Sequence, residues 1–107
     1  MADNKDTSPA NVSIDRLIHE PARLAILSVL YAAKEADFLF LLRETGLTKG
    51  NLSTHLSKLV AAGYIEIEKG YVGKLPQTLC RMTETGIQAF DDYRKQLNDI
   101  LNNLEDA

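Results

Sequence analysis

Apolar residues change their spacing twice along this 107-residue chain, and the changes mark its elements. Ile14, Leu17 and Ile18 recur at i, i+3 and i+4, the spacing of one helix face. Pro21 interrupts them, and proline is tolerated in a first helical turn, where its missing N–H loses no partner. The pattern predicts a short helix over about 14–19 and a second from Pro21 to Ala33, burying Leu24, Leu27, Val29 or Leu30, and Tyr31. Asp37-Phe38 reads as a short extended piece before a brief helix with Leu39, Leu42 and Arg43, ended by Gly46 as a left-handed cap. Thr48 can cap the next helix with its hydroxyl. That helix, over about 48–62, carries Leu52, Leu56, Leu59 and Val60 on one face and stops at Gly63. Helix, short turn and helix is the spacing of a helix-turn-helix.

After Gly63 the period falls from 3.6 to 2. Tyr64-Ile65-Glu66-Ile67-Glu68-Lys69 alternates apolar and charged residues, as a half-buried strand does. Gly70, Gly73 and Pro76 break the next stretch, and Gln77 to Met82 reads as the returning strand, so a hairpin with an extended tip over 69–76 is expected rather than a two-residue turn. Thr83 is placed to cap a last helix over 84–107. Its Phe90, Tyr93, Leu97, Ile100 and Leu104, with Leu101 alongside, form a seam of about two heptads suited to packing on a partner. The expected class is mainly α with a small β-hairpin (α+β): a polar tail over 1–12 that reads as disordered, a body over 13–83, and the last helix belonging to the same domain.

Composition narrows the function. Hydrophobic residues make up 45% and charged residues 25%, as in an ordinary soluble globule. No apolar run approaches the ~20 residues needed to cross a bilayer. The N-terminus lacks the basic and apolar regions of a signal peptide, so no membrane partner and a cytoplasmic location are expected. The one cysteine, Cys80, forms no internal disulfide and reads as a buried small hydrophobe on the returning strand. Two histidines and one cysteine far apart lack metal-ligand spacing, so neither metal nor cofactor is expected. Glu66 and Glu68 share one strand face with no visible reactive partner. With no convergent titratable set, an enzyme is not expected.

The net charge of −3 hides a division. Residues 1–45 balance to −2 and residues 83–107 to −4, whereas 46–82 carry Lys49, Lys58, Lys69, Lys74 and Arg81 against Glu66 and Glu68, a balance of +3. On the 48–62 helix, Gly50, Thr54, Ser57, Lys58 and Ala61 lie opposite the leucines, with Asn51 and Ser53 on the flanks and Lys49 on the first turn, and no acid among them. The polar side chains of this set donate to phosphates and base edges, and a helix fits the ~12 Å major groove. His55 flanks this side, either contacting a phosphate or base or packing on a neighbouring helix; His19, beside Pro21, reads as a helix-end residue. In the hairpin tip, Lys69, Tyr71 and Lys74 can lie along the backbone or enter the minor groove.

Three stretches resemble a known family: Arg23-Leu24-Ala25-Ile26-Leu27 after Pro21, Gly46 through Leu59, and Ala62-Gly63-Tyr64-Ile65. Together with the Met82-Thr83-Glu84-Thr85-Gly86 junction, they are similar to the winged helix-turn-helix regulators of the MarR and ArsR type, over roughly residues 14–104. The resemblance implies a homodimeric regulator of double-stranded DNA with the 48–62 helix in the major groove, 69–76 as the wing and a long C-terminal dimerisation helix. The chain departs from the pattern in having one C-terminal helix and no arginine at the wing tip, where Lys74 is nearest. Thr48, Lys49, Asn51, Ser53, Thr54, His55, Lys58, Lys69, Tyr71 and Lys74 are the candidate DNA contacts. Phe90, Tyr93, Leu97, Ile100, Leu101 and Leu104 are the candidate dimer contacts. The competing reading is a protein-interaction module, which the acidic net charge favours. A small-molecule effector is not specified by the sequence; one would bind in the dimer interface or between helices.

Overall fold

Pro21 shapes the start of the chain more strongly than the apolar spacing suggests. A computed structural model describes residues 13–105, so the expected tail over 1–12 lies outside the described residues. Where a helix was expected over 14–19 there is only a single turn, closed by His19 N–H donating to the Asp15 carbonyl (2.8 Å). Asp15 Oδ1 accepts from the Leu17 and Ile18 amides at 2.9 and 3.1 Å. The reason is local: the residue before a proline is driven out of the helical region, and Glu20 is extended, with φ −152° and ψ 131°. Glu20 instead caps helix α1 (Pro21–Ala33), its carboxylate accepting from Arg23 N–H at 2.8 Å.

Helix α1 buries Ile26, Leu27 and Leu30, while Leu24, Val29 and Tyr31 are half-buried against the same core. The extended piece expected at Asp37-Phe38 is instead a strand, β1 (Glu35–Asp37), which starts two residues earlier and shares only Asp37 with it. Asp37 then caps α2 (Phe38–Thr45), accepting from Phe40 N–H at 2.8 Å. Leu41 is the buried residue of α2, and Leu39 faces solvent. Gly46 ends the helix at φ 71° as expected. Thr48 caps α3 (Lys49–Ala61) through its hydroxyl, which accepts from Asn51 N–H at 3.1 Å. Leu52, Leu56 and Leu59 are fully inside, but Val60, at the edge of that stripe, is exposed.

The hairpin also differs from expectation. Strands β2 (Ile65–Val72) and β3 (Leu75–Met82) pair without interruption, leaving only Gly73-Lys74 as the turn. Positive φ at Gly73 (64°) and not at Lys74 is the II′ pattern, whose twist matches that of the flanking strands. Pro76 is tolerated because β1 reaches only Leu79, so one side of β3 is free beyond it. The sheet is antiparallel with order β1-β3-β2, and it exists as three strands because that free edge of β3 takes Ala36 opposite Cys80.

Helix α4 (Glu84–Glu105) is capped by Thr83, whose hydroxyl accepts from Gly86 N–H (3.0 Å) and donates to the Gly63 carbonyl (2.5 Å). The expected seam of α4 is divided. Phe90 and Tyr93 are buried within this chain's own core: the Phe90 ring lies 4.9 Å from Tyr31, and the Tyr93 hydroxyl is hydrogen-bonded to His19 Nδ1 at 2.9 Å. They are therefore corrected from partner-facing to core positions. Leu97 packs partly on the same core, while Leu101 and Leu104 are 49% and 69% exposed.

Tyr64 ties the pieces together. Its hydroxyl donates to Asp15 Oδ2 (2.6 Å), and its carbonyl accepts from Thr83 N–H (3.1 Å). That carbonyl sits where a side chain on Gly86 would be: a Cβ there would lie 2.0 Å from the Tyr64 oxygen. Helix propensity alone favours Gly86→Ala by ~1 kcal/mol. The overlap with backbone reverses the sign, and urea unfolding should show G86A destabilised by about 1–3 kcal/mol; a stabilised variant would contradict the packing described.

Burial and the Asp15 hydrogen bond push the Tyr64 hydroxyl up to about 12. Burial, and then Asp37, push the Cys80 thiol up to about 11. In both cases the folded state holds a proton that the unfolded chain releases sooner. The associated stability is whole below about pH 9, the ordinary thiol value, and is lost as pH rises through about 11 and 12. Cys80 should resist a thiol reagent at pH 8 until the chain is unfolded; prompt labelling of the native protein would contradict its burial.

Candidate nucleic-acid interface

The three buried leucines of α3 fix which way its other side points. Thr48, Lys49, Gly50, Asn51, Ser53, Thr54, Ser57 and Lys58 are all exposed, and no acidic side chain belongs to α3. The helix is aimed by its two ends: Thr48 satisfies a first-turn amide, and Gly63 at φ 79° turns the chain into β2. The first-turn amides add partial positive charge on the side of Lys49. Thus six of the expected residues of this helix and its cap share one open, acid-free surface with Gly50 and Ser57, and only His55 stands apart.

His55 is half-buried, and Arg23 Nη1 lies 3.2 Å from its Nδ1. Of the two alternatives weighed from the sequence, the contact with a neighbouring helix is present, through Arg23 of α1, while the ring stays partly exposed. Arg23 is the site residue that sequence reasoning missed as a functional group. Its guanidinium is fixed by Nε donating to the Leu17 carbonyl at 2.5 Å. The neighbouring Glu20 carboxyl is held below its ordinary range, first by the Arg23 amide hydrogen bond and further by the Arg23 charge and, when its ring is protonated, by His55.

The hairpin carries the second group. Ile67 opposite Cys80 is the last core pair of the β2–β3 ladder, and five further residues to Val72 project about 17 Å. Lys69 and Tyr71 share the face of Ile65 and Ile67, Tyr71 is 74% exposed, and Lys74 stands in the turn itself. Val72 and Leu75, also exposed, lie in the stretch read from sequence as a loose tip, where only Lys69, Tyr71 and Lys74 were singled out.

Glu66 and Glu68, unpartnered in the sequence reading, meet Arg81. Its guanidinium reaches Glu68 at 2.8 Å and Glu66 and Glu35 at 3.4 Å each, on the sheet face away from the core. Exposed pairs of this kind add little stability, but they sort the charge. Arg81 is neutralised among three carboxylates, whereas Lys49, Lys58, Lys69 and Lys74 have no acidic partner among the described residues. The positive balance of the middle third is thus delivered to α3 and the wing.

Among the described residues no group of three or more His, Cys, Asp or Glu is placed to hold a metal ion, and no helix is long and apolar enough to cross a membrane. A cavity of about 550 Å³ opens between α1, β1, β3 and α4, bordered by Leu30, Tyr31, Lys34, Arg81, Met82 and Ile87.

Comparison with known proteins agrees with this geometry. Residues 22–101 match the family model of a winged helix DNA-binding domain. An uncharacterized protein of Methanocaldococcus jannaschii is 30% identical over 90 residues, covering 84% of this chain and 98% of that one. The fold is shared with a transcriptional regulator homologue from Pyrococcus horikoshii OT3, at TM-score 0.79 and 24% identity over 84% of this chain and 89% of that one. It is shared too with a MarR-like protein of Bacillus cereus ATCC 10987, at TM-score 0.68 and 20% identity over 83% of this chain and 66% of that one. The chain belongs to the winged helix DNA-binding domain family, with the fold of MarR-type transcriptional regulators.

Proposed function

We propose that this winged-helix chain is a sequence-specific, double-stranded DNA-binding transcriptional regulator that acts as a homodimer on a pseudo-palindromic operator. The observation that carries the reading is the outward side of α3, exposed from Lys49 to Lys58 and free of acid. Lys49, Asn51, Ser53, Thr54 and His55 are assigned to base edges and nearby phosphates in the major groove, with Thr48 presenting the first turn. Lys58, Lys69, Tyr71 and Lys74 are assigned to the backbone, where each neutralised phosphate releases counterions.

The distal part of α4 is assigned to the partner copy. Leu97, Ile100, Leu101 and Leu104 lie on one side of the helix, and the last two are exposed and outside the core among the described residues. In a twofold pair the two α3 helices would read half-sites about 34 Å apart. If a small effector exists, the cavity between α1 and α4 is the place for it, one of the two locations, between helices or in the dimer interface, that the sequence leaves open.

Retention on random-sequence duplex DNA at low salt separates this reading from a protein-interaction module: binding is expected, and no detectable retention would favour the module. Asn51→Ala should lower discrimination between the selected operator and random DNA by about 1–3 kcal/mol; an unchanged ratio would remove Asn51 from base reading. Lys74→Ala should weaken all sequences alike and flatten the log–log salt dependence by about one unit. For the dimer, Leu101→Asp with Leu104→Asp should give a folded monomer in sedimentation, because neither side chain supports the core. A dimer that survives the pair of substitutions would place the interface elsewhere.

A further inference from the structure

Arg23 and His55 form the only contact in which a residue of the DNA-facing helix is held by a charged side chain of another helix among the described residues. A guanidinium carries five donors and no acceptor, and it does not give up its charge. The 3.2 Å contact from Arg23 Nη1 to His55 Nδ1 is therefore a hydrogen bond only when Nδ1 offers its lone pair. The single proton of the neutral ring is then on Nε2. Arg23 cannot easily turn away, because its Nε is engaged by the Leu17 carbonyl and its own amide by Glu20. His55 Nε2 has no hydrogen-bond partner among the described residues, and the Glu20 carboxylate acts on the ring only through space.

We infer that Arg23 is a positioning residue that fixes His55 as an Nε2–H donor, so that His55 selects hydrogen-bond acceptors on the DNA. Those acceptors are phosphate oxygens and, in the major groove, guanine N7 and O6, adenine N7 and thymine O4; the amino groups of cytosine and adenine are refused. A histidine free to exchange tautomers would accept either kind of edge. The inference deepens the function proposed above and rests on α3 being the helix that meets DNA.

Two measurements test it. Long-range nitrogen–proton NMR of the full unmutated chain, above the pH at which the ring loses its charge, should show His55 with Nδ1 bare and Nε2 protonated. A proton on Nδ1 overturns the inference, and this arm needs no variant to fold. The second is a double-mutant cycle on a duplex enriched by the unmutated protein from a random library. Arg23→Met and His55→Ala should each cost about fivefold in affinity, and R23M should cost nothing further once H55A is present. If only the advantage of the enriched duplex over random DNA falls, His55 meets a base edge; if both duplexes weaken alike, it meets a phosphate. Both results support positioning. Additive losses overturn it, since Arg23 would then touch DNA on its own account. Failure of the unmutated protein to bind any duplex overturns the DNA half together with the function proposed above, and the NMR result tells that failure apart from a failure of the Arg23 contact alone.

Discussion

The close approach of the Tyr64 carbonyl to Gly86 is the constraint on which the arrangement depends. At this one residue the chain leaves α3, begins β2, receives the amide of Thr83 and lets α4 lie against it. The Tyr64 hydroxyl reaches the other way to Asp15, whose turn is in turn held to α4 by the Asp15 amide donating to Gln96 at 3.2 Å. Helix α3, the root of the hairpin, the first turn and the last helix are thus fixed relative to one another around a few atoms. A chain of this size has a modest core, and such convergence is how it holds two outward-facing elements at a defined separation.

Around that junction the chain keeps its greasy and charged groups on separate territories. The buried set is apolar, with no buried charged or polar side chain among the described residues. Acids gather on α4 and on the outer sheet face, where Arg81 answers three of them. Among the described residues, Lys49, Lys58, Lys69 and Lys74, on α3 and the hairpin, have no acidic partner, as is also true of Lys34 and Lys95. At physiological salt charges more than about 8 Å apart are largely screened, so acids of the last helix beyond that distance leave the local field over α3 little changed. A negative net charge is compatible with a polyanionic partner for this reason.

Much of this was legible from residue order. The leucine spacing of α3, the caps at Gly46, Thr48 and Thr83, and the period-2 run of β2 each combine a local propensity with a matching burial pattern, and each is found in place. What could not be read depends on partners distant in sequence. Glu35-Ala36-Asp37 has no alternation and is a strand only because β3 has an edge to offer. Phe90 and Tyr93 fit a heptad seam as well as they fit a core, and only the packing of Tyr31 and His19 decides between them. The tight Gly73-Lys74 turn was hidden because the glycines and proline around it suggested a looser tip. In the candidate site, the outward side of α3 followed from the sequence, whereas the role of Arg23 required the crossing of α1 over α3 to be seen.

The central claim is that the outward side of α3 and the hairpin together form the surface that meets a duplex. The most direct measurement is backbone amide NMR of the full chain titrated with a random-sequence duplex at low salt. The account expects shifts concentrated at residues 48–58 and 69–76, with the distal part of α4 unmoved. Shifts centred on α4 or on the outer sheet face, with α3 silent, would contradict it.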